Sequence, residues 1–223
     1  MSLLSDTWTA FQDNEGWQRV GEHIRLSVIP LAIASVIGIA LGVAAAKSSW
    51  LGTFSIQSAA FIGRMVPTFA AMALIMSATS IGFGPAAVGL VLLAVPTILL
   101  STATGIRQAD AAAVDAARGV GFTRTQLLGR VELPLALPYI MTGVRTASVM
   151  VVATAALAGA IGSGGLGVTI VAGFSNGQTD VLLAGAIPVT LLALAAEGCL
   201  LLIERLLTPT GLRRQAQIKG ERA

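Results

Sequence analysis

The sequence predicts an all-α integral membrane protein that crosses the bilayer several times. Three observations carry this. The 223-residue chain is 55% hydrophobic and only 11% charged, with a mean hydropathy of +0.82, whereas a soluble domain is typically about 25% charged. Charged residues are missing from whole stretches long enough to span a ~30 Å hydrocarbon core, which takes about 20 residues at 1.5 Å each. The basic residues gather in segments that fall on one side of those stretches, as the positive-inside rule describes. The net charge of +3 is therefore a topology signal and not a nucleic-acid footprint. The single Cys199 excludes an internal disulfide or a cysteine metal cluster and reads as a small apolar filler.

Residues 1–25 mix Asp6, Asp13, Glu15 and Glu22 with Arg19 and Arg25, and show no apolar signal region. Trp8, Phe11 and Trp17 assign them to the membrane interface, where amphipathic rings are stable. His23 is the only histidine; with no partner in sequence it is expected at the surface. The first span is read over 26–46, with Gly38 and Gly42 forming a small-xxx-small pair suited to close helix packing, and Lys47 ends it. A short loop follows, and the second span is read from about 58 to 79. Gly82-Phe83-Gly84-Pro85 is a turn. The third span runs from about 86 to 106 and closes at Arg107.

Residues 110–134 are a polar interruption with heavy helical punctuation. Asp110 is an N-cap for a helix over 111–118, and Gly119 and Gly121 stop it. Thr123 with Gln126 makes a capping box for a second helix, with Phe122 and Leu127 as its hydrophobic staple. The whole reads as a rigid docking surface; an amphipathic pair of interfacial helices is the plainer alternative. The fourth span, 135–161, is broken by Gly162-Ser163-Gly164-Gly165-Leu166-Gly167, and a polar stretch, 175–180, precedes a fifth span over 181–207 that ends in Glu204 and Arg205. The tail, 208–223, is polar and basic. Three parts result: an interfacial segment (1–25), a transmembrane domain (22–206) and a cytoplasmic tail (208–223).

Five spans put the two chain ends on opposite sides. Lys47, Arg107, Arg118, Arg124, Arg130 and the tail share one side, while the turns 80–85 and 162–180 hold no Lys or Arg. The docking segment and C-terminus are thus expected inside and the N-terminus outside. Dividing 48–79 into two spans gives six and moves the N-terminus inside.

The spacing of the docking segment carries a resemblance. Asp115-Ala116-Ala117, then Gly121, then nine residues, then Val131-Glu132-Leu133-Pro134 resembles the EAA loop of ABC-importer permeases: Glu-Ala-Ala, three residues, Gly, nine residues, Ile-x-Leu-Pro. Asp115 for Glu and Val131 for Ile depart from it. Arg64-Met65-Val66-Pro67, 133–138, 143–147 and 161–167 extend the likeness to the permeases of osmoprotectant importers for glycine betaine, carnitine or choline, over roughly 22–206. Methionine-type permeases share the loop and the Gly-Gly-Leu-Gly turn.

The resemblance implies the transmembrane domain of a type I importer in the cell membrane of a prokaryote. It implies a second permease subunit (identical or paralogous), two cytoplasmic ATPases and an extracytoplasmic binding protein. The docking segment would then be the coupling helix, carried by Asp115, Ala116, Ala117, Gly121, Val131, Leu133 and Pro134.

What the chain lacks fits that division of labour. No Gly-x4-Gly-Lys-Ser/Thr phosphate loop is present, so ATP and its magnesium belong to the partner ATPase, and no cofactor or metal is expected here. No Ser/His/Asp set suggests an enzyme. A secondary transporter or channel, with internal repeats, and a non-transporting scaffold are the competing classes. Gly162, Gly164, Gly165 and Gly167 allow positive φ and close backbone approach, suiting a gate; a plain connecting turn is the alternative. Asp115 and Glu132 read as solvated or interface charges. Three ionisable residues, Arg64, Arg145 and Glu197, fall within spans. Arg145 and Glu197 each lie about nine residues, or ~14 Å, from the inner face of consecutive antiparallel spans, which predicts an ion pair. Arg64 competes for Glu197, and a lone Arg145 could snorkel to the interface.

Overall fold

The structure is a computed structural model that describes residues 3–48, 68–78 and 81–207. Helices dominate, and no strand occurs among the described residues. In chain order they are α1 (Leu3–Asp13), α2 (Gly16–Lys47), α3 (Thr68–Ala78), α4 (Phe83–Arg107), α5 (Ala111–Gly119), α6 (Arg124–Leu127), a π turn (Leu128–Glu132), α7 (Leu133–Ala158), a 3-10 turn (Gly159–Ile161), α8 (Leu166–Asn176) and α9 (Thr179–Leu207). Among the described residues, four helical segments are long and apolar enough to cross a membrane: α2, α4, the run Arg124–Ile161 containing α7, and α9. Of the expected second span only α3 is described; the rest of that expectation, and Arg64 with it, lies outside the described residues.

Each of the four crossing helices contains one interior proline, Pro30, Pro96, Pro138 or Pro188. Such prolines are tolerated in membranes because neighbouring helices and polar side chains satisfy the freed backbone.

The core lies where α2, α4 and α7 meet. Leu26 and Ala34 pack with Ala86, Leu90, Ala94, Ile98, Ala147, Val151, Ala155 and Ala158, and Met72 of α3 joins them. Small residues permit this closeness. A Cβ on Gly38 would come within 2.8 Å of Ile98, and one on Gly42 within 2.6 Å of Thr102. The pair foreseen as a packing stripe is the α2 face against α4, held by dispersion where water gives no drive.

The N-terminal region differs from its expectation as a separate interfacial piece. α1 is a distinct helix, but α2 starts at Gly16, ten residues before the expected span. The break is sharp because Glu15 adopts φ +55. Phe11 is buried, stacks with Trp8 at 5.6 Å and meets Trp17 edge-on at 5.4 Å. Trp8 and Trp17 remain exposed, as residues of an aromatic belt are.

Two further expectations are corrected. His23 is fully buried, not at the surface, and its Nε2 donates to the Val152 carbonyl at 3.0 Å. Its partner is a backbone atom of a distant helix, which no sequence pattern reveals. The stretch after the glycine turn is not all loop, because Leu166–Asn176 forms α8, packed on α9.

Candidate functional site

Two clusters of polar contacts mark the opposite ends of the helical bundle, and a third lies between α7 and α9. At one end stands the docking segment, which holds together by itself. Asp110 Oδ1 accepts from the Ala112 and Ala113 amides at 2.8 and 3.3 Å, capping α5. The far end of α5 closes with Gly121 at φ +88 and the Phe122 amide donating to the Ala117 carbonyl at 3.1 Å, a Schellman closure that a Cβ at Gly121 would strain. Thr123 and Gln126 form the reciprocal capping box. Beneath the two short helices, Val114, Ala117 and Leu127 make a small core with Ala109, Phe122 and Val131.

The outward surface of this unit has low relief. Ala112, Ala113, Ala116, Gly119 and Gly121 are exposed, and Val120 is 76% exposed. Asp115 pairs with Arg118 at 3.3 Å on the same face, both well exposed, so the pair adds little stability. Ala117 faces the local core instead, and Leu133 and Pro134 start α7 half-buried. The unit is a compact knob whose exposed face carries small residues beside Asp115 and Arg118. Val120 was missed in sequence; its signal is an apolar residue between two glycines in an otherwise polar segment.

Behind the knob, the π turn carries Glu132 inward. Glu132 is 5% exposed and bonds the Lys47 ammonium at the end of α2. The reading of Glu132 as a solvated or interface charge is thereby corrected: the turn points it into the bundle, at Lys47 of the same chain. Arg107 Nη2 donates to the Ala45 carbonyl at 3.2 Å, so the ends of α2, α4 and α7 meet here.

At the opposite end, Gly162, Gly164 and Gly165 adopt φ +74, +85 and +72. Gly167 does not share this conformation. It lies inside α8, where an added Cβ would overlap the Ala156 carbonyl oxygen, and Gly159 meets the Gly167 backbone equally closely. The turn is tied on two sides: the Gly165 amide donates to Glu22 Oε2 at 2.7 Å, and Ser163 Oγ donates to the Gly82 carbonyl at 3.2 Å. Glu22 was missed because its role depends on a backbone donor far along the chain.

The third cluster brings Arg145 and Glu197 together. Arg145 Nε and Nη2 donate to Glu197 Oε1 at 2.9 and 2.6 Å, and Nη1 donates to Glu204 Oε2 at 2.9 Å. Glu204, read in sequence only as the end of the last span, lies two helical turns beyond Glu197 and so faces the same way. All three side chains remain between 21% and 32% exposed.

The arrangement therefore has a rigid knob at one end, a tied glycine turn at the other and an ionic cluster inside an apolar bundle. Residues 38–209 match the family described as binding-protein-dependent transport system inner membrane component. The chain is 32% identical over 217 residues to the glycine betaine/carnitine/choline transport system permease protein OpuCB of Bacillus subtilis, covering 96% of this chain and all of that one. It is 34% identical over 219 residues to the osmoprotectant import permease protein OsmW of Salmonella typhimurium, covering 93% of this chain and all of that one. The fold is similar to a chain of the MetNI methionine ABC transporter in an inward-facing conformation, with a TM-score of 0.74 at 23% identity over 86% of this chain and 95% of that one.

Proposed function

The chain belongs to the family of binding-protein-dependent transport system inner membrane components, and on that premise we propose that it forms the path for glycine betaine, carnitine or choline in an ATP-driven importer. The observation that carries the solute class is the likeness to permeases named for those solutes across nearly the whole chain. The methionine transporter shares the fold at low identity, and that likeness carries no substrate.

In this reading the bundle end with Lys47, Arg107 and residues 110–134 faces the cytoplasm, as the positive-inside rule favours. The N-terminus then lies outside with the glycine turn. Two ATPase subunits would receive the low-relief knob of α5 and α6, and closure of the ATPase pair would switch access through α7. A second permease copy or paralogue would complete the path, and a binding protein would deliver the solute at the outer face. High affinity would belong to that binding protein, since a tight site in the permease slows release.

The test is uptake by the reconstituted assembly with its cognate binding protein, across glycine betaine, choline, carnitine, proline and methionine. Accumulation of one or more of the three quaternary ammonium solutes is expected. Transport of methionine alone would contradict the solute class.

A further inference from the structure

We infer that Glu132 is a positioning residue that transmits movement of the docking segment to the first span through its ion pair with Lys47. The inference rests on the importer reading above and adds to it the route by which the knob moves the bundle. The position is the unassigned x of the Ile-x-Leu-Pro pattern, so the resemblance gives it no role.

Its placement has a physical cause. The two docking helices do not run into α7 through regular α-helix; five residues, Leu128–Glu132, wind as a π turn. A π turn holds an extra residue and turns the side chains after it, and such turns are frequent at functional sites. Here Arg130 stays exposed, while Glu132 two residues on is buried. Its neighbours in sequence belong to an apolar cluster: Leu128 and Leu133 pack with Ile106, Ala136 and Ile140, as does Ala46 beside Lys47. Burying a carboxylate in such a place is costly unless it is paired and hydrogen-bonded. Lys47 is the basic side chain bonded to it among the described residues. The ammonium end is the wetter one, with 42% of the Lys47 side chain exposed against 6% for Glu132.

The pair spans two mechanical units. Glu132 belongs to the hinge between the knob and α7, whereas Lys47 is the last residue of α2, the helix packed along α4 through Gly38 and Gly42. The Arg107 bond to Ala45 fastens α4 to the same end of α2. The knob has its own core, so a push on one of its helices is passed to the other. Displacing it rotates the π turn, and the ion pair, buried at its Glu132 end, pulls α2 and α4 along with α7. Without the pair, the knob would still dock but would drive α7 alone.

The experiment uses the assembled complex with its ATPase subunits in vesicles, with the cognate binding protein and glycine betaine as the probe solute. ATP hydrolysis and uptake are measured together for Glu132→Gln, Lys47→Met and the exchanged pair Lys47→Glu with Glu132→Lys. Both single variants should assemble and hydrolyse ATP at the unstimulated rate, while solute moved per ATP falls about tenfold, the size of an ordinary coupling between sites. The exchanged pair should recover most of the loss. Unchanged solute per ATP in Glu132→Gln overturns the inference. So does a loss of uptake that only tracks loss of assembled complex and is not recovered by the exchange. An unaltered assembly that takes up solute without ATP overturns the importer reading, and this inference with it.

Discussion

Arg145 on α7 and Glu197 on α9 are joined by two hydrogen bonds to one carboxylate oxygen, at 2.9 and 2.6 Å, inside a bundle of apolar helices. An ionisable group at this depth needs a partner or water. Glu197→Leu alone should destabilise the fold by about 2 kcal/mol, less than for a fully buried pair because a quarter to a third of each side chain is exposed. The double change Arg145→Met with Glu197→Leu should recover part of that loss. Glu204→Gln should cost less, since the guanidinium keeps both bonds to Glu197. Thermal unfolding in detergent of the unsubstituted protein, Arg145→Met, Glu197→Leu and the double variant gives the cycle. Additive effects would show that the contact contributes nothing.

This contact was legible from depth alone, because two consecutive antiparallel spans put their charges at matching distances from one face. The capping box at Thr123 and the closure at Gly121 were legible too, since local hydrogen bonds depend on near neighbours in sequence. His23, Glu22 and Glu132 were not. Each owes its placement to a distant group: the Val152 carbonyl, the Gly165 amide and the Lys47 ammonium. Two of those partners are backbone atoms, which leave no mark in a residue pattern. Helix α8 escaped because the glycines before it and the polar residues after it read as one long loop, although the apolar residues between them suffice for three turns.

The proposed coupling role of the knob makes Gly121 decisive. Its φ of +88 closes α5, and nothing lies within 4 Å of where a Cβ would stand. Gly121→Leu therefore meets strain of about 1 kcal/mol but no clash, and the protein should reach the membrane. The added side chain would project from the docking face, so transport-coupled ATP hydrolysis should be lost. Normal coupled turnover would show that this face does not carry the signal.

At the other end, the proposed gating role separates Gly165 from Gly167. Gly165→Val strains a positive φ and crowds His23 and Leu26, and Glu22→Ala removes one of the turn's two tethers without touching its backbone. Both should reduce uptake more than folded yield. Gly167→Ala forces a Cβ onto the Ala156 carbonyl, and should reduce yield and uptake together, at about 1–3 kcal/mol for overpacking. Parallel loss of yield and uptake in all three variants would make the turn a plain connector.

The central claim is that residues 110–134 join this membrane bundle to ATP hydrolysis on a separate subunit. The direct measurement is uptake of glycine betaine and choline into sealed vesicles containing the purified assembly, with ATP supplied on the side of the docking segment and binding protein on the other. Accumulation should require ATP and the binding protein, and ATP hydrolysis should rise when the loaded binding protein is added. Uptake driven by an ion gradient without ATP, or ATP hydrolysis indifferent to the loaded binding protein, would contradict it.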